Sequence, residues 1–186
     1  MRVIAGTARS LQLKTVPGMD VRPTTDRIKE TLFNMLAPVI PECRFLDLFA
    51  GSGAIGIEAM SRGASEAVFV DQSRASADCI NENLRHTKFT ENTRVLKTDA
   101  SAAIGILEQE GLAFDIIFMD PPYRKELERE VLERLSGSKL VTESTRIIVE
   151  ADIMTDFGYL SGLGFKIDKN KEYKTNKHVF ISMIEK

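Results

Sequence analysis

Five short apolar runs recur along the chain, each parted from the next by a segment with helical spacing, and few architectures accommodate that alternation. The runs occupy 44–48, 67–71, 93–97, 114–119 and 146–150. At five or six residues each, and apolar in near-continuous series, they suit strands buried on both faces. The intervening segments read as helices over about 54–61, then from a Ser73 cap through Ala77, Ile80 and Leu84, over 101–109, and along Leu127, Val131, Leu132 and Leu135. Strands alternating with helices imply right-handed βαβ units and a mostly parallel sheet covered on both faces. Upstream, Thr24 or Thr25 can cap a helix with Asp26 in its first turn. Ile28, Leu32, Met35, Leu36 and Val39 form its apolar face, and Pro38 and Pro41 close it. Residues 1–15 alternate apolar and polar around a small-residue turn, which predicts a hairpin arm, and Pro17-Gly18 marks a further turn. The division expected is an arm over 1–21 and one α/β domain over 22–186. At the other end, 165–173 and 177–184 read as two strands joined by Lys174-Thr175-Asn176, placing one antiparallel strand in the sheet.

A chain of 186 residues holds one ordinary domain with a real core. No apolar run approaches the roughly 20 residues that cross a bilayer, and no secretory signal is readable, so no membrane is expected as partner. Cys43 and Cys79 make no disulfide framework, which points to a reduced, cytoplasmic setting. His86 and His178 offer no zinc spacing, so no metal is expected. The net charge of −2 hides an uneven distribution. Residues 1–36 and 166–186 each carry six Lys or Arg against three Asp or Glu, whereas the middle is acidic. That excludes a generic nucleic-acid coat protein, which is basic overall, but basic ends can still line one positive face.

The first strand runs into Phe49-Ala50-Gly51-Ser52-Gly53-Ala54-Ile55-Gly56 and then a helix. Glycine lets backbone approach a ligand, and a helix start offers free N–H groups. Gly51, Gly53 and Gly56 spell G-x-G-x-x-G, with Asp71 twenty residues on, which is a dinucleotide fingerprint on its face. Asp47, four residues before Gly51, argues against a pyrophosphate, which a carboxylate would crowd. It suits a ligand with a cationic end, such as the amino group of S-adenosylmethionine. Asp71 suits a ribose and Asp99 an adenine amino group, although either aspartate could instead simply cap a helix.

Asp120-Pro121-Pro122-Tyr123 follows the fourth strand directly. Consecutive prolines fix φ and supply no N–H, leaving a rigid set of acceptors. Beside an aromatic ring, these fit a flat base with an exocyclic amine. The amine donates to the Asp120 side chain and the Pro121 carbonyl while Tyr123 stacks on the ring. Hydrogen bonds that hold both N–H groups out of plane localise the amine lone pair and aim it at a methyl carbon. The other reading is a proline-rich stop with Tyr123 merely packing.

These motifs, in this order, are similar to those of class I S-adenosylmethionine-dependent methyltransferases that modify base amino groups. Arg2-Val3-Ile4-Ala5-Gly6, Arg22-Pro23-Thr24-Thr25-Asp26-Arg27 and Leu32-Phe33-Asn34 more specifically resemble the RsmD family, whose members methylate N2 of one guanine in bacterial small-subunit (16S) ribosomal RNA. The resemblance implies a Rossmann-like class I methyltransferase fold with a mostly parallel seven-stranded sheet. It implies S-adenosyl-L-methionine as cofactor, with Asp47, Phe49, Ala50, Gly51, Ser52 and Gly53 around its methionine part. Asp71 and Gln72 would lie at its ribose, Asp99 and Ala100 at its adenine, and Arg22, Pro23 and Thr24 over it. Asp120, Pro121, Pro122 and Tyr123 would hold the target guanine. Phosphate contacts would come from Arg2, Arg9 and Lys14 in the arm and from Lys174 and Lys177 in the tail. The partner would be ribosomal RNA within a small-subunit particle, met by a monomer.

Three alternatives stand beside this one. A DNA adenine-N6 or cytosine-N4 methyltransferase could use the same loop, an NAD-dependent oxidoreductase could use the glycine fingerprint, and a silent ligand sensor could keep only the fold. Elsewhere, Glu58 and Arg62 read as a surface helix pair, Cys79, Phe33 and Met35 as packing residues, and His86 as solvent-facing or capping; Asn34 has no assigned role.

Overall fold

The computed structural model describes residues 1–16, 25–123 and 125–185. The elements run α1 (Asp26–Leu36), β1 (Arg44–Asp47), α2 (Ala54–Ser61), β2 (Glu66–Val70), α3 (Arg74–Thr87), β3 (Thr93–Leu96), α4 (Ala100–Gln109), β4 (Ile116–Met119), α5 (Leu127–Leu135), β5 (Arg146–Asp152), β6 (Phe165–Glu172) and β7 (Asn176–Met183). The strands form one seven-stranded sheet in the order β3-β2-β1-β4-β5-β7-β6. The alternation expected from the apolar runs is thus the architecture found. No helix of the described residues is long and apolar enough to cross a membrane.

Contacts divide the chain into two compact units, residues 1–99 and 100–186. In the first, β1 and β2 pair in parallel from Arg44↔Glu66 to Asp47↔Phe69, and β2 and β3 from Ala67↔Thr93 to Val70↔Leu96. Thr25 caps α1 by accepting from the Ile28 N–H, and Ser73 caps α3 by accepting from that of Ser76. Helix α1 stops at Leu36, short of Val39, because Pro38 lacks an N–H and disfavours helical backbone before it. His86 lies exposed within the last turn of α3.

The N-terminal hairpin reduces to one bridge, Arg2↔Gln12. Its hydrogen bonds go to α2 instead. Thr7 N–H donates to the Ser61 carbonyl at 2.8 Å and Ala8 N–H to Ser61 Oγ at 2.9 Å. Gly6 takes φ +82°, and a Cβ there would stand 1.7 Å from the Ser61 carbonyl oxygen, so only glycine permits this approach. Val3, Ala8 and Leu13 are buried.

In the second unit β4 and β5 are parallel, while β7 runs antiparallel to both β5 and β6. The tail is therefore a hairpin inserted with β7 inward, and β7 is the one reversed strand. Its neighbours on both sides bury it from Asn176 to Ile181.

Candidate active site

In the first unit, the loop after β1 is built on two aspartates. Asp47 is buried, and its Oδ2 accepts from the Gly56 N–H at 3.2 Å, anchoring the first turn of α2. Its Oδ1 is buried with no hydrogen-bond partner in the structure. Burial pushes the carboxyl up to about 7; the Gly56 N–H opposes that shift and the charge of Asp71 adds to it. Asp71 closes the loop from above: Oδ2 accepts from the Gly51 N–H and Oδ1 from the Ser73 N–H, both at 2.9 Å. The aspartate thus joins the end of β2, the glycine loop and the start of α3.

The glycines have three separate causes. Gly51 has φ +55° and nothing within 4 Å of where a Cβ would stand, so open space lies over the loop there. Gly53 has φ +80° and is the N-cap of α2, with Ile80 at 3.3 Å from its virtual Cβ. Gly56 lies against Phe69, whose ring would be 2.3 Å from an added Cβ, so it sets the closeness of α2 to β2. Ala50 is buried, and Phe49 and Ser52 are half-buried.

Sequence spacing does not anticipate two features of this unit. Asn83, 1% exposed on α3, donates to the Ser52 carbonyl at 2.9 Å and to that of Lys14 at 3.0 Å, and accepts from the Lys14 N–H. Glu58, expected on the surface, is fully buried on α2. It receives the Ile4 and Ala5 N–H groups at 2.8 and 3.0 Å and pairs with Lys29 at 3.1 Å and Arg62 at 2.8 Å. The pair with Arg62 exists, but as part of a buried hub.

Gln72 and Asp99 are exposed, and Ala100, directly after Asp99, is the buried first residue of α4. Arg22, Pro23, Thr24 and the Pro17-Gly18 turn lie outside the described residues. In the second unit, Asp120 and Tyr123 are half-buried after β4, Pro121 is buried and Pro122 exposed. Of the expected phosphate ligands, Arg9 and Lys174 are exposed. Arg2 is paired with Asp26 at 2.9 Å and Lys14 with Glu82 at 2.6 Å. Lys177 departs from expectation: it is buried, donates to the Thr155 carbonyl at 2.8 Å and lies over the Phe157 ring. Strand β7 is covered on both faces, so an outward-reading lysine there turns inward.

Removing the Asp71 carboxylate costs the loop its Gly51 tether as well as an acceptor. Asp71→Ala is expected to weaken S-adenosylmethionine binding by about 1–3 kcal/mol, the worth of a charged hydrogen bond. Titration calorimetry checks this; an unchanged dissociation constant removes Asp71 from the cofactor site.

A parallel sheet with one reversed strand beside its last edge, and an aspartate-bound glycine loop after β1, together define a class I methyltransferase fold. The family model described as "Conserved hypothetical protein 95" matches residues 1–181. Ribosomal RNA small subunit methyltransferase D of Escherichia coli K12 is 39% identical over 153 residues, covering 82% of this chain and 75% of that one. The Haemophilus influenzae protein of the same name is 34% identical over 152 residues, covering 82% and 79%. Among solved structures, a hypothetical protein of Thermus thermophilus superposes with a TM-score of 0.83 at 29% identity, covering 97% of this chain and 98% of that one. The chain belongs to the RsmD family, that of ribosomal RNA small subunit methyltransferase D.

Proposed function

We propose that this protein is a ribosomal RNA methyltransferase that transfers a methyl group from S-adenosylmethionine to the exocyclic N2 of a guanine in small-subunit ribosomal RNA. Membership of the RsmD family supports methyl transfer to ribosomal RNA. The observation that carries the choice of donor is the unsatisfied, buried Oδ1 of Asp47 beneath a glycine loop with open space over Gly51. A buried carboxylate oxygen without a donor is costly, and a ligand's ammonium group supplies what it lacks. S-adenosylmethionine, when bound, supplies a methyl carbon on a sulfonium leaving group. Asp47 and the loop to Gly53 would hold its amino-acid end, Asp71 its ribose and Asp99 its adenine.

On the acceptor side, Asp120 and the Pro121 carbonyl take the two N–H groups of the base amine and direct its lone pair, while Tyr123 stacks on the ring. RNA bases are reached most readily when splayed from a single-stranded loop, and a chain with no further reading domain relies on a preformed RNA shape. The exposed bases Arg9 and Lys174 remain available for phosphate.

Incubating the protein with labelled S-adenosylmethionine and small-subunit particles, then digesting the RNA, tests this. Label in N2-methylguanosine is the expected result; label in another nucleoside, or none, overturns it. Tyr123→Ala is expected to retain cofactor binding and lose about 1–3 kcal/mol in turnover through lost stacking. Undiminished turnover removes Tyr123 from the acceptor site.

A further inference from the structure

Within the second unit, a chain of polar groups crosses an otherwise apolar stretch of sheet. Glu150 of β5 stands opposite His178 of β7. His178 is fully buried, and Glu150 and Asn176 are 5% and 6% exposed. Asn176 Nδ2 donates to Glu150 Oε1 at 2.7 Å, His178 Nε2 lies 3.1 Å from Glu150 Oε2, and the Tyr173 hydroxyl lies 3.3 Å from His178 Nδ1. The imidazole packs edge-on to Phe118 of β4 and to the Tyr173 ring. Burying such groups is costly unless every polar atom is paired.

The chemistry of the partners fixes the direction of each hydrogen bond. An ionised carboxylate only accepts, so His178 Nε2 carries the proton it donates to Glu150. Nδ1 then has only a lone pair, so the Tyr173 O–H must donate to it. Tyr173 is half-buried, and its oxygen keeps lone pairs that these hydrogen bonds do not use. Burial, and after it the charge of Glu150, pushes its phenol up, so the hydroxyl keeps its proton until His178 can take it.

The placement of the chain is specific. Met119 pairs with Val149, so Asp120 and Glu150 are the next residues along two adjacent parallel strands. Because β6 and β5 each run opposite to β7, Tyr173, just past β6, lies toward the same carboxyl ends. Among the described residues, the groups facing His178 are Glu150 from β5, Tyr173 and the register partner Lys171 from the β6 side, and the uncharged Phe118 ring from β4. Lys171 Nζ itself lies over the Tyr173 ring.

We propose that Tyr173, His178 and Glu150 are a proton relay serving the Asp120–Tyr123 loop, with Tyr173 as the group that meets the substrate amine. This rests on the amine-methylating reading above. A new N–C bond made from the amine lone pair leaves nitrogen cationic until one N–H bond breaks and its electron pair returns to nitrogen. The proton passes to Tyr173 Oη as Tyr173 gives its own to His178 Nδ1. The imidazolium formed is paired with Glu150, and the proton returns to water by the reverse path once product leaves. The arrangement is that of a histidine oriented by a carboxylate and acting through a hydroxyl.

Tyr173→Phe keeps the ring and deletes only the relay's first oxygen. In single turnover on small-subunit particles it is expected to slow methyl transfer by about 10²-fold, the lower end for a positioned base, because Asp120 remains as a second acceptor. The KM for particles should not move, and the solvent deuterium isotope effect of the unaltered protein should vanish. Glu150→Gln should slow the step with the same signature. Nitrogen-15 spectra of the His178 ring read the relay even in protein inactive on particles: Nε2 protonated and Nδ1 bare is required, and the opposite tautomer overturns it. If the unaltered protein modifies no guanine N2, the function proposed above fails. If it does so and Tyr173→Phe keeps both rate and isotope effect, the relay alone fails.

Discussion

Glu58→Ala is expected to lose about 3–5 kcal/mol of unfolding free energy, a large part of the roughly 5–15 kcal/mol that holds a domain together. The carboxylate is the meeting point of three segments: the N-terminal strand through Ile4 and Ala5, α1 through Lys29, and α2 through Arg62. Truncation orphans two amide N–H groups and leaves the fully buried Lys29 ammonium without its counter-charge. Burial already lowers the Lys29 pKa, against the pull of Glu58 and Asp26. The partner deletion is not symmetrical. Lys29→Met leaves Glu58 with Arg62 and both amides, so it should cost about 1–2 kcal/mol, within the worth of a single charged hydrogen bond. Urea unfolding of the two variants checks the order; equal losses would show that Glu58 is not the hub. Because α2 starts at Gly53, Glu58→Ala should also weaken cofactor binding, whereas a defect confined to the N-terminal strand would not.

Much of the sheet is legible because burial on both faces leaves a simple mark, an apolar run of strand length between helical segments. The glycine loop is legible for a related reason: Gly51, Gly53 and Gly56 each answer a backbone demand that no other residue meets. Glu58 reads as exposed because its spacing to Arg62 is that of a surface pair, and its amide partners lie 53 and 54 residues away in sequence. One contrary signal is present. Helix α2 carries a single charged residue among Ala54, Ile55, Gly56, Ile57, Ala59 and Met60, and a helix apolar all round is buried, its glutamate included. Asn83 has no such flag, since α3 has a polar face on which an asparagine is ordinary. In the tail, alternation would put Lys177 and His178 on opposite faces with one in solvent. Both are buried because β7 has a strand on each side and cover on both faces, which no local pattern records. The basic arm departs differently: Arg2 and Lys14 are exposed but already paired with Asp26 and Glu82.

Raising pH from about 4 to about 8 without cofactor is expected to destabilise the protein through Asp47 by up to about 4 kcal/mol. The folded chain holds the Asp47 proton up to about pH 7, whereas the unfolded chain releases it near 3.8. The stabilisation is therefore complete below the lower value, declines across the interval and is gone above the upper one. Asp47→Asn keeps an acceptor for the Gly56 N–H and removes the titration, so the Asp47 contribution to the pH slope should vanish. The same carboxyl couples cofactor binding to protons. A cationic ligand group within reach of Oδ1 favours the charged form, so S-adenosylmethionine binding near neutral pH should expel a proton that Asp47→Asn does not have to lose. Calorimetry in buffers of different ionisation enthalpy measures this directly. Buffer-dependent heats for the unaltered protein, flat for Asp47→Asn, are the expected pair. Heats independent of buffer in both would mean that Asp47 supports the loop from below and never meets the ligand's charge.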